Sequence, residues 1–303
     1  MTLCGVLAAM ITGCNSPSSK NADIPSDSTA KDERNVAQEK NSPKSELNLT
    51  TVKFPLECAN EEIQNFLSDA VLQGWAKDLA LGGTFNLKEE FFSTPDGPAD
   101  GVMMWFNLDN IRVDGKQTIV LAIEPGSKVG GVSPEQPRAK QLKYPDDVFT
   151  YDVTKPFRLE QHAPLIRHKL KEKETPLASI NTRRASFIDI VNANANPRYG
   201  QPFNEHNGAF FQNNKDSADS FDTRGLLSRL LAQPGAVGVR YYLALKDDIE
   251  YDDMIRIILV ATDFNGNDII YLKDPKDPKK KVDALILQKS IPPGSQKILT
   301  RCP

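Results

Sequence analysis

The chain has 303 residues, of which 39% are hydrophobic and 25% are charged, and its formal net charge is −3. This composition is typical of a globular protein, and the length allows one large or two ordinary domains with a sizeable core. The acidic balance offers no general attraction to phosphate backbones, so nucleic-acid-binding proteins are excluded as a class. The sequence has no phosphate-binding glycine loop, nucleophile elbow or His-Glu-x-x-His pair, and we expect no cofactor.

Residues 1–14 carry the strongest pattern in the chain. An apolar run from Leu7 ends in Ile-Thr-Gly-Cys at Cys14, which resembles the lipobox of bacterial lipoprotein signal peptides. Residues 1–14 are therefore predicted to be a signal peptide with its acylation cysteine, and Cys14 becomes the palmitate-bearing first residue of the mature protein. No Lys or Arg precedes Cys14, although such signals normally begin with positive charge. The alternative is a short buried segment over 3–11, far shorter than the roughly 20 residues that cross a bilayer.

The signal also predicts a location. We expect a lipid-anchored protein of the bacterial cell envelope, in the outer membrane, on either its periplasmic or its surface side, with the membrane as one partner. Residues 15–52 are rich in Ser, Asn, Lys, Asp, Glu and Pro, which bury too little apolar surface to offset the entropy of ordering. They are predicted to form a disordered tether between the lipid and the folded part.

The four cysteines leave one candidate disulfide. Cys4 leaves with the signal and Cys14 carries lipid, so Cys58 and Cys302 form the only pair in the mature protein. An exported protein can hold a disulfide, and closing so long a loop would stabilise the fold by about 4 to 5 kcal/mol on the chain-entropy model. The alternative is two unpaired thiols.

Apolar spacing predicts the elements of the folded part in chain order. In a first unit, 53–124, we expect helices over 61–72 and 85–93 and a β-hairpin from strands 102–106 and 118–123. The segment 125–176 is dense in Pro, Lys, Glu and Gly, and is expected to be a loop-rich linker with one helix near 165–173.

The second unit, 177–303, repeats this order. Helices are expected over 182–193 and 226–231, followed by a hairpin from strands 239–245 and 255–262. The agreement in residue type and spacing indicates an internal repeat. The expected fold class is α+β, with two related helix–helix–β-hairpin units that form one antiparallel sheet packed by helices. One sheet for each unit is the alternative.

The segment 226–270 carries a family resemblance. It contains Leu-Leu-x-Gln-Pro-Gly-x-x-Gly-Val-Arg-Tyr-Tyr followed by Asp-x-Asn-Gly-Asn-Asp, and it resembles a lipoprotein-type family of uncharacterised Bacteroidetes proteins. The resemblance covers about a seventh of the chain. It implies no particular activity.

Aromatic residues and an arginine on the two hairpins suggest a ligand-binding face. The candidates are Trp105, Arg240, Tyr242 and Tyr251, since aromatic side chains combine a flat apolar surface with a polar edge. Strand alternation places Arg240 and Tyr242 on one side of the strand, and Val239 and Tyr241 on the other. A protein or glycan partner fits such a face. The alternative is that most of these side chains pack in the core.

A weaker pattern suggests a metal site. The oxygen-bearing side chains of Asp263, Asn265, Asn267 and Asp268 are close in sequence, as in calcium loops. The order differs from an EF-hand, because Gly266 is at position four rather than six and Lys273-Asp274 stands where the bidentate Glu is expected. A tight turn at Asn265-Gly266 is the simpler interpretation.

These patterns favour a non-enzymatic envelope lipoprotein with a binding or structural role, and no residue is assigned as catalytic. The alternative is an envelope hydrolase that uses carboxylates such as Asp247, Asp248 and Asp263. That enzyme needs two acids, or a histidine and an acid, to converge in one cleft.

Overall fold

The computed structural model describes most of the chain between residues 51 and 289. The described ranges are 51–68, 81–87, 93–94, 97–113, 116–126, 137, 139–151, 156–161, 165–170, 174–193, 208–213, 225–246 and 254–289. All of them belong to one compact unit, Ser45–Pro303. The predicted signal with Cys14, the tether up to residue 50, and the candidates Asp247, Asp248, Tyr251 and Cys302 lie outside the described residues.

The described part contains many more strands than helices. The strands are β1 (Thr51–Lys53), β2 (Gly82–Phe85), β3 (Ser93–Thr94), β4 (Gly97–Pro98), β5 (Gly101–Val113), β6 (Lys116–Gly126), β7 (Gln141–Lys143), β8 (Asp147–Tyr151), β9 (Leu165–Lys169), β10 (Glu174–Pro176), β11 (Gly208–Gln212), β12 (Gly238–Lys246), β13 (Met254–Thr262), β14 (Tyr271–Lys273), β15 (Lys281–Asp283) and β16 (Ile286–Lys289). The helices are α1 (Leu56–Ser68), α2 (Leu177–Ala193) and α3 (Leu226–Leu231), with a 3₁₀ turn at Leu159–Gln161.

The strands form two large antiparallel sheets. Seven strands follow the order β1-β16-β13-β12-β2-β8-β9 and five follow the order β10-β7-β6-β5-β11, while β14 pairs with β15 and β3 with β4. The structure is therefore mostly β, and the prediction of an α+β fold built from helix-packed hairpin units was wrong. One reason is that four strands, β7 to β10, come from 125–176, where composition predicted mostly loop, and they join both sheets. The helix expected near 165–173 is also wrong where it is described, because Leu165–Lys169 is strand β9.

Both predicted hairpins are confirmed, but they lie in different sheets. β5 pairs with β6 in the five-stranded sheet, and β12 pairs with β13 in the seven-stranded sheet. The short helix expected over 85–93 is wrong where it is described, because Phe85 ends β2, which lies between β12 and β8. Close approach of the neighbouring backbone explains the glycine there: a Cβ at Gly82 would lie 1.9 Å from the Tyr241 carbonyl oxygen.

The two sheets pack against each other. Val239 and Tyr241 of β12 share a core cluster with Leu121 and Ile123 of β6, and the Tyr241 hydroxyl accepts a hydrogen bond from the Leu121 amide at 3.4 Å. Burial raises the pKa of Tyr241 above the usual range of a phenol. The odd-numbered side chains of β12 therefore face the five-stranded sheet.

Each outer side of this sandwich carries a helix. Ile63 and Phe66 of α1 are buried, and Glu62 accepts hydrogen bonds from Arg256 at 3.3 Å and from Gln288 at 2.7 Å. On the far side, α2 packs on the outer face of β5. Central strands are thus covered on both faces, which explains why their apolar runs are continuous. None of the helices in the described ranges has the length and hydropathy to span a membrane.

Cys58 lies near the start of α1 and is 3% exposed. It is disulfide-bonded, and its partner lies outside the described residues. The pairing with Cys302 stays a prediction.

Candidate functional site

A cavity of about 190 Å³ lies on the face of the seven-stranded sheet that Arg240 and Tyr242 share. Phe157, Leu159 and Leu165 contribute apolar lining. The Phe157 and Tyr242 rings are 5.5 Å apart between centroids. The cavity therefore has an apolar part of fixed shape.

Register explains how distant parts of the chain meet here. In adjacent strands, Tyr242 lies opposite Gly82, Gly82 opposite Phe149, and Phe149 opposite Arg167. Residues paired in this way project from the same face of a sheet. Arg167 of the edge strand β9 therefore shares a face with Tyr242 of the central strand β12, across a glycine that carries no side chain.

Arg240 is held by three hydrogen bonds and is 1% exposed. Its guanidinium donates to Thr84 Oγ1 at 3.1 Å, to Asp268 Oδ1 at 2.6 Å and to the Gly266 carbonyl at 2.6 Å. It also lies 5.1 Å from the centroid of the Phe149 ring. Burial lowers the pKa of Arg240, but the combined effect of Asp268, Tyr242 and Asp147 outweighs it and the net shift is upward.

Asp268 is the acidic member of this cluster. One of its oxygens accepts from Arg240 and the other accepts from the Tyr242 hydroxyl. Burial and the nearby Asp268 charge raise the pKa of Tyr242 well above its ordinary value, so it is a neutral donor at physiological pH. The carboxylate is therefore fixed by two donors from the same strand.

Asp268 reaches this position from a tight turn that follows β13. Asp263 accepts hydrogen bonds from the Asn267 amide at 2.8 Å and from its side chain at 3.3 Å, and the Gly266 amide donates to the Asp263 carbonyl at 2.9 Å. Gly266 has φ +73°, a conformation that favours glycine. Asn265-Gly266 therefore lies in a tight turn, which was the simpler interpretation of this segment of the sequence.

The proposed metal ligands do not converge. The oxygens of Asp263 serve the turn, while Asp268 bonds Arg240 and Tyr242. Within the described ranges there is no group of three or more His, Cys, Asp or Glu residues placed to hold a metal ion.

Two more arginines line the cavity. Arg167 donates to the Gly266 carbonyl, the same oxygen that Arg240 bonds. Arg158 is exposed, and its side chain has no hydrogen bond or ion pair in the described part of the chain. Arg167 likewise has no acidic partner among the described residues. The lining therefore carries three arginines and one acid, Asp268, so it is positive in a chain of net charge −3.

The candidate ligand face is only partly assembled. Arg240 and Tyr242 come together, as alternation predicted, but both are buried rather than on an open face. Trp105 is 0% exposed in the other sheet, where its indole donates to Glu124 at 2.8 Å and Arg184 of α2 lies 4.4 Å from its ring. Burial lowers the pKa of Arg184 and Glu124 partly opposes this shift. Trp105 therefore belongs to the core.

Sequence reasoning missed Arg158, Arg167 and Thr84. The only local signal was the strand alternation of β9, which lies where a helix was expected. A larger cleft, of about 980 Å³, runs along α1 and shares Phe157 and Arg158 with the cavity. The arrangement as a whole provides arginine donors, an apolar wall and one neutralised carboxylate, which are the parts of an anion-binding site.

Comparison of the chain with protein-family models, curated proteins and solved structures finds no match.

Proposed function

We propose that this protein is a lipid-anchored binding module of the bacterial cell envelope, and that the cavity beside Arg240 holds its ligand without chemical turnover. The anchor rests on the Ile-Thr-Gly-Cys pattern that ends at Cys14. The binding role rests on the cavity. The two parts are independent and are tested separately.

One observation carries the binding role: both oxygens of Asp268 are already occupied by Arg240 and Tyr242. A carboxylate held in this way by a cation and a phenol keeps both donors in place, whereas a general acid or base has to exchange a proton with a substrate. The arginines around it supply attraction and orientation. Such a site favours binding over proton transfer.

The hydrolase alternative gains no support from the described residues. Asp263 accepts hydrogen bonds from Asn267 within its own turn. Asp247 and Asp248 lie outside the described residues. No specific observation therefore favours it as a second function.

The anchor is tested by expressing the full chain in a bacterial host with an alkyne analogue of palmitate. We expect the wild-type protein to be labelled and recovered with membranes, and the variant Cys14→Ser to be unlabelled and soluble. A matched Cys4→Ser variant keeps the label, because Cys4 leaves with the signal. Unlabelled wild-type protein recovered entirely from the cytosol would refute the anchor.

A further inference from the structure

We propose that the cavity receives an oxyanion end group, a carboxylate or a phosphoryl group, and that Arg158 and Arg167 are the residues that bind it. This inference rests on the proposed function because it takes the cavity to be a binding site. It goes further by naming the class of ligand.

Charge is the first argument. Arg240 and Asp268 are 2.6 Å apart and neutralise each other. Arg158 and Arg167 then leave a local excess of positive charge with no acidic partner among the described residues. A guanidinium group matches the planar oxygens of carboxylates and phosphoryl groups and binds them through two parallel hydrogen bonds. The excess charge therefore selects an anion.

Donor placement is the second argument. Arg240 uses three of the five N–H donors of a guanidinium on Thr84, Asp268 and Gly266. These bonds fix the Gly266 carbonyl, which also holds Arg167. Arg167 is therefore positioned before any ligand arrives, which lowers the entropy lost on binding.

Size is the third argument. A cavity of about 190 Å³ is smaller than the roughly 300 to 1,000 Å³ of ordinary ligand pockets. It suits one end group rather than a whole ligand. The adjoining cleft of about 980 Å³ shares Phe157 and Arg158 and is also lined by four acids, Glu57, Glu61, Glu160 and Asp283. It therefore provides room for a neutral or cationic remainder of a larger molecule, with the anionic end group in the smaller cavity. Phe157 and its apolar neighbours suit the carbon atoms next to the anion.

The test is a calorimetric titration of the full chain, purified in detergent at low salt. The probes are glucuronate for the carboxylate, glucose 6-phosphate for the phosphoryl group and glucose as the neutral analogue. We expect at least one anion to bind ten or more times as tightly as glucose. The tighter of the two identifies the oxyanion, and binding weakens with added salt.

The variants Arg158→Gln and Arg167→Gln each remove one cation. We expect each to weaken anion binding about 10-fold to 100-fold, which is the size of a hydrogen bond to a charged group. Lys276→Gln removes an equal charge from an exposed loop outside the cavity lining and leaves affinity unchanged. Circular dichroism confirms that the three variants fold.

The inference is overturned if glucose binds as tightly as both anions, if neither anion binds, or if Lys276→Gln weakens binding as much as the arginine variants. Its failure is separable from that of the proposed function. A palmitoylated, membrane-bound protein that ignores both anions refutes only the inference. A soluble, unlabelled protein that binds an anion through Arg158 and Arg167 refutes only the anchor.

Discussion

Two buried ion pairs lie on the same face of the seven-stranded sheet, and they differ in what covers them. Arg240 and Asp268 are 2.6 Å apart beside a cavity, whereas Arg256 and Glu62 are 3.3 Å apart beneath α1. Both pairs use an arginine of the central hairpin. Asp268 comes from a turn, however, and Glu62 comes from a helix.

The same kind of buried arginine–carboxylate pair therefore serves two purposes in this protein. Glu62 joins a helix to the sheet. Neither Glu62 nor Arg256 lines the cavity beside Arg240 or the cleft along α1. Asp268 instead fixes Arg240 and Tyr242 at the wall of a cavity. A buried pair is poor support for stability by itself, but removing one partner is costly because a buried charge is left alone. Mutation can therefore separate the contribution of each pair to the free energy of unfolding from its contribution to anion binding.

The largest effect is expected for Asp268→Ala. Arg240 then keeps a buried charge without its acid and Tyr242 loses its acceptor, so the free energy of unfolding falls by about 3 to 5 kcal/mol. Urea denaturation followed by fluorescence measures this loss. A decrease below about 1 kcal/mol would show that the cluster contributes little to the fold.

Glu62→Ala is the matched change beneath α1. Gln288 also loses its acceptor, but the Arg256–Glu62 contact is longer than the Arg240–Asp268 contact, so the expected loss of unfolding free energy is about 2 to 3 kcal/mol. The affinity for the tighter anion stays at the wild-type value, because Glu62 does not line the cavity. Loss of anion binding in this variant would abolish the distinction between the two pairs.

Tyr242→Phe is expected to lower the unfolding free energy by about 1.5 kcal/mol at neutral pH, because Asp268 loses a donor. The substitution also changes how the free energy of unfolding depends on pH in the alkaline range. The pKa of Tyr242 is raised in the folded state, so above about pH 10 the unfolded state releases a proton that the folded state retains, and stability falls by up to about 1.4 kcal/mol per pH unit for each such tyrosine.

Tyr241 has a raised pKa as well and contributes in the same direction. Wild-type protein is therefore expected to lose stability steeply between pH 10 and 11.5, and Tyr242→Phe less steeply, in urea titrations at each pH. Equal slopes for the two proteins would contradict the burial of the Tyr242 hydroxyl.

The smallest effect on stability is expected for alanine at Gly235 or Gly266, and comparing the two variants separates backbone strain from a change in the binding site. Gly235 and Gly266 have φ +83° and +73°, so alanine at either position costs about 1 kcal/mol. A Cβ at Gly235 meets nothing within 4 Å, whereas one at Gly266 would lie 2.3 Å from the Arg167 guanidinium. Only Gly266→Ala is expected to weaken anion binding. Similar affinities for both variants would show that Arg167 tolerates the displacement.

Local patterns predicted the hairpins and α3 but failed to predict the sheets. The hairpins β5–β6 and β12–β13 are continuous apolar strands joined by short connections, and the leucines of α3 lie on one face, so each is visible within a short window. β2 is a strand because of its distant neighbour β12, whereas β9 pairs with the preceding strand β8 at the edge of the sheet. In the sequence, Gly82 and Gly83 resemble the end of a secondary-structure element. In the structure they allow two strands to approach closely.

The site was predictable only along one strand. Alternation placed Arg240 and Tyr242 on the same side, and the Asn-Gly turn was evident from its residues. The partner of Arg240 at Thr84 is 156 residues away, and the contact from Arg167 to Gly266 spans 99. Such contacts depend on strand order, which local periodicity does not encode.

The most direct measurement is arginine side-chain NMR of the full chain in detergent, with and without the anion that binds more tightly. Lysine substitutions of single arginines assign the Nε resonances. We predict that the signals of Arg158 and Arg167 shift progressively with ligand while that of Arg256 stays fixed. Unchanged signals for Arg158 and Arg167 at saturating anion, or an equal shift of Arg256, would contradict an oxyanion site in this cavity.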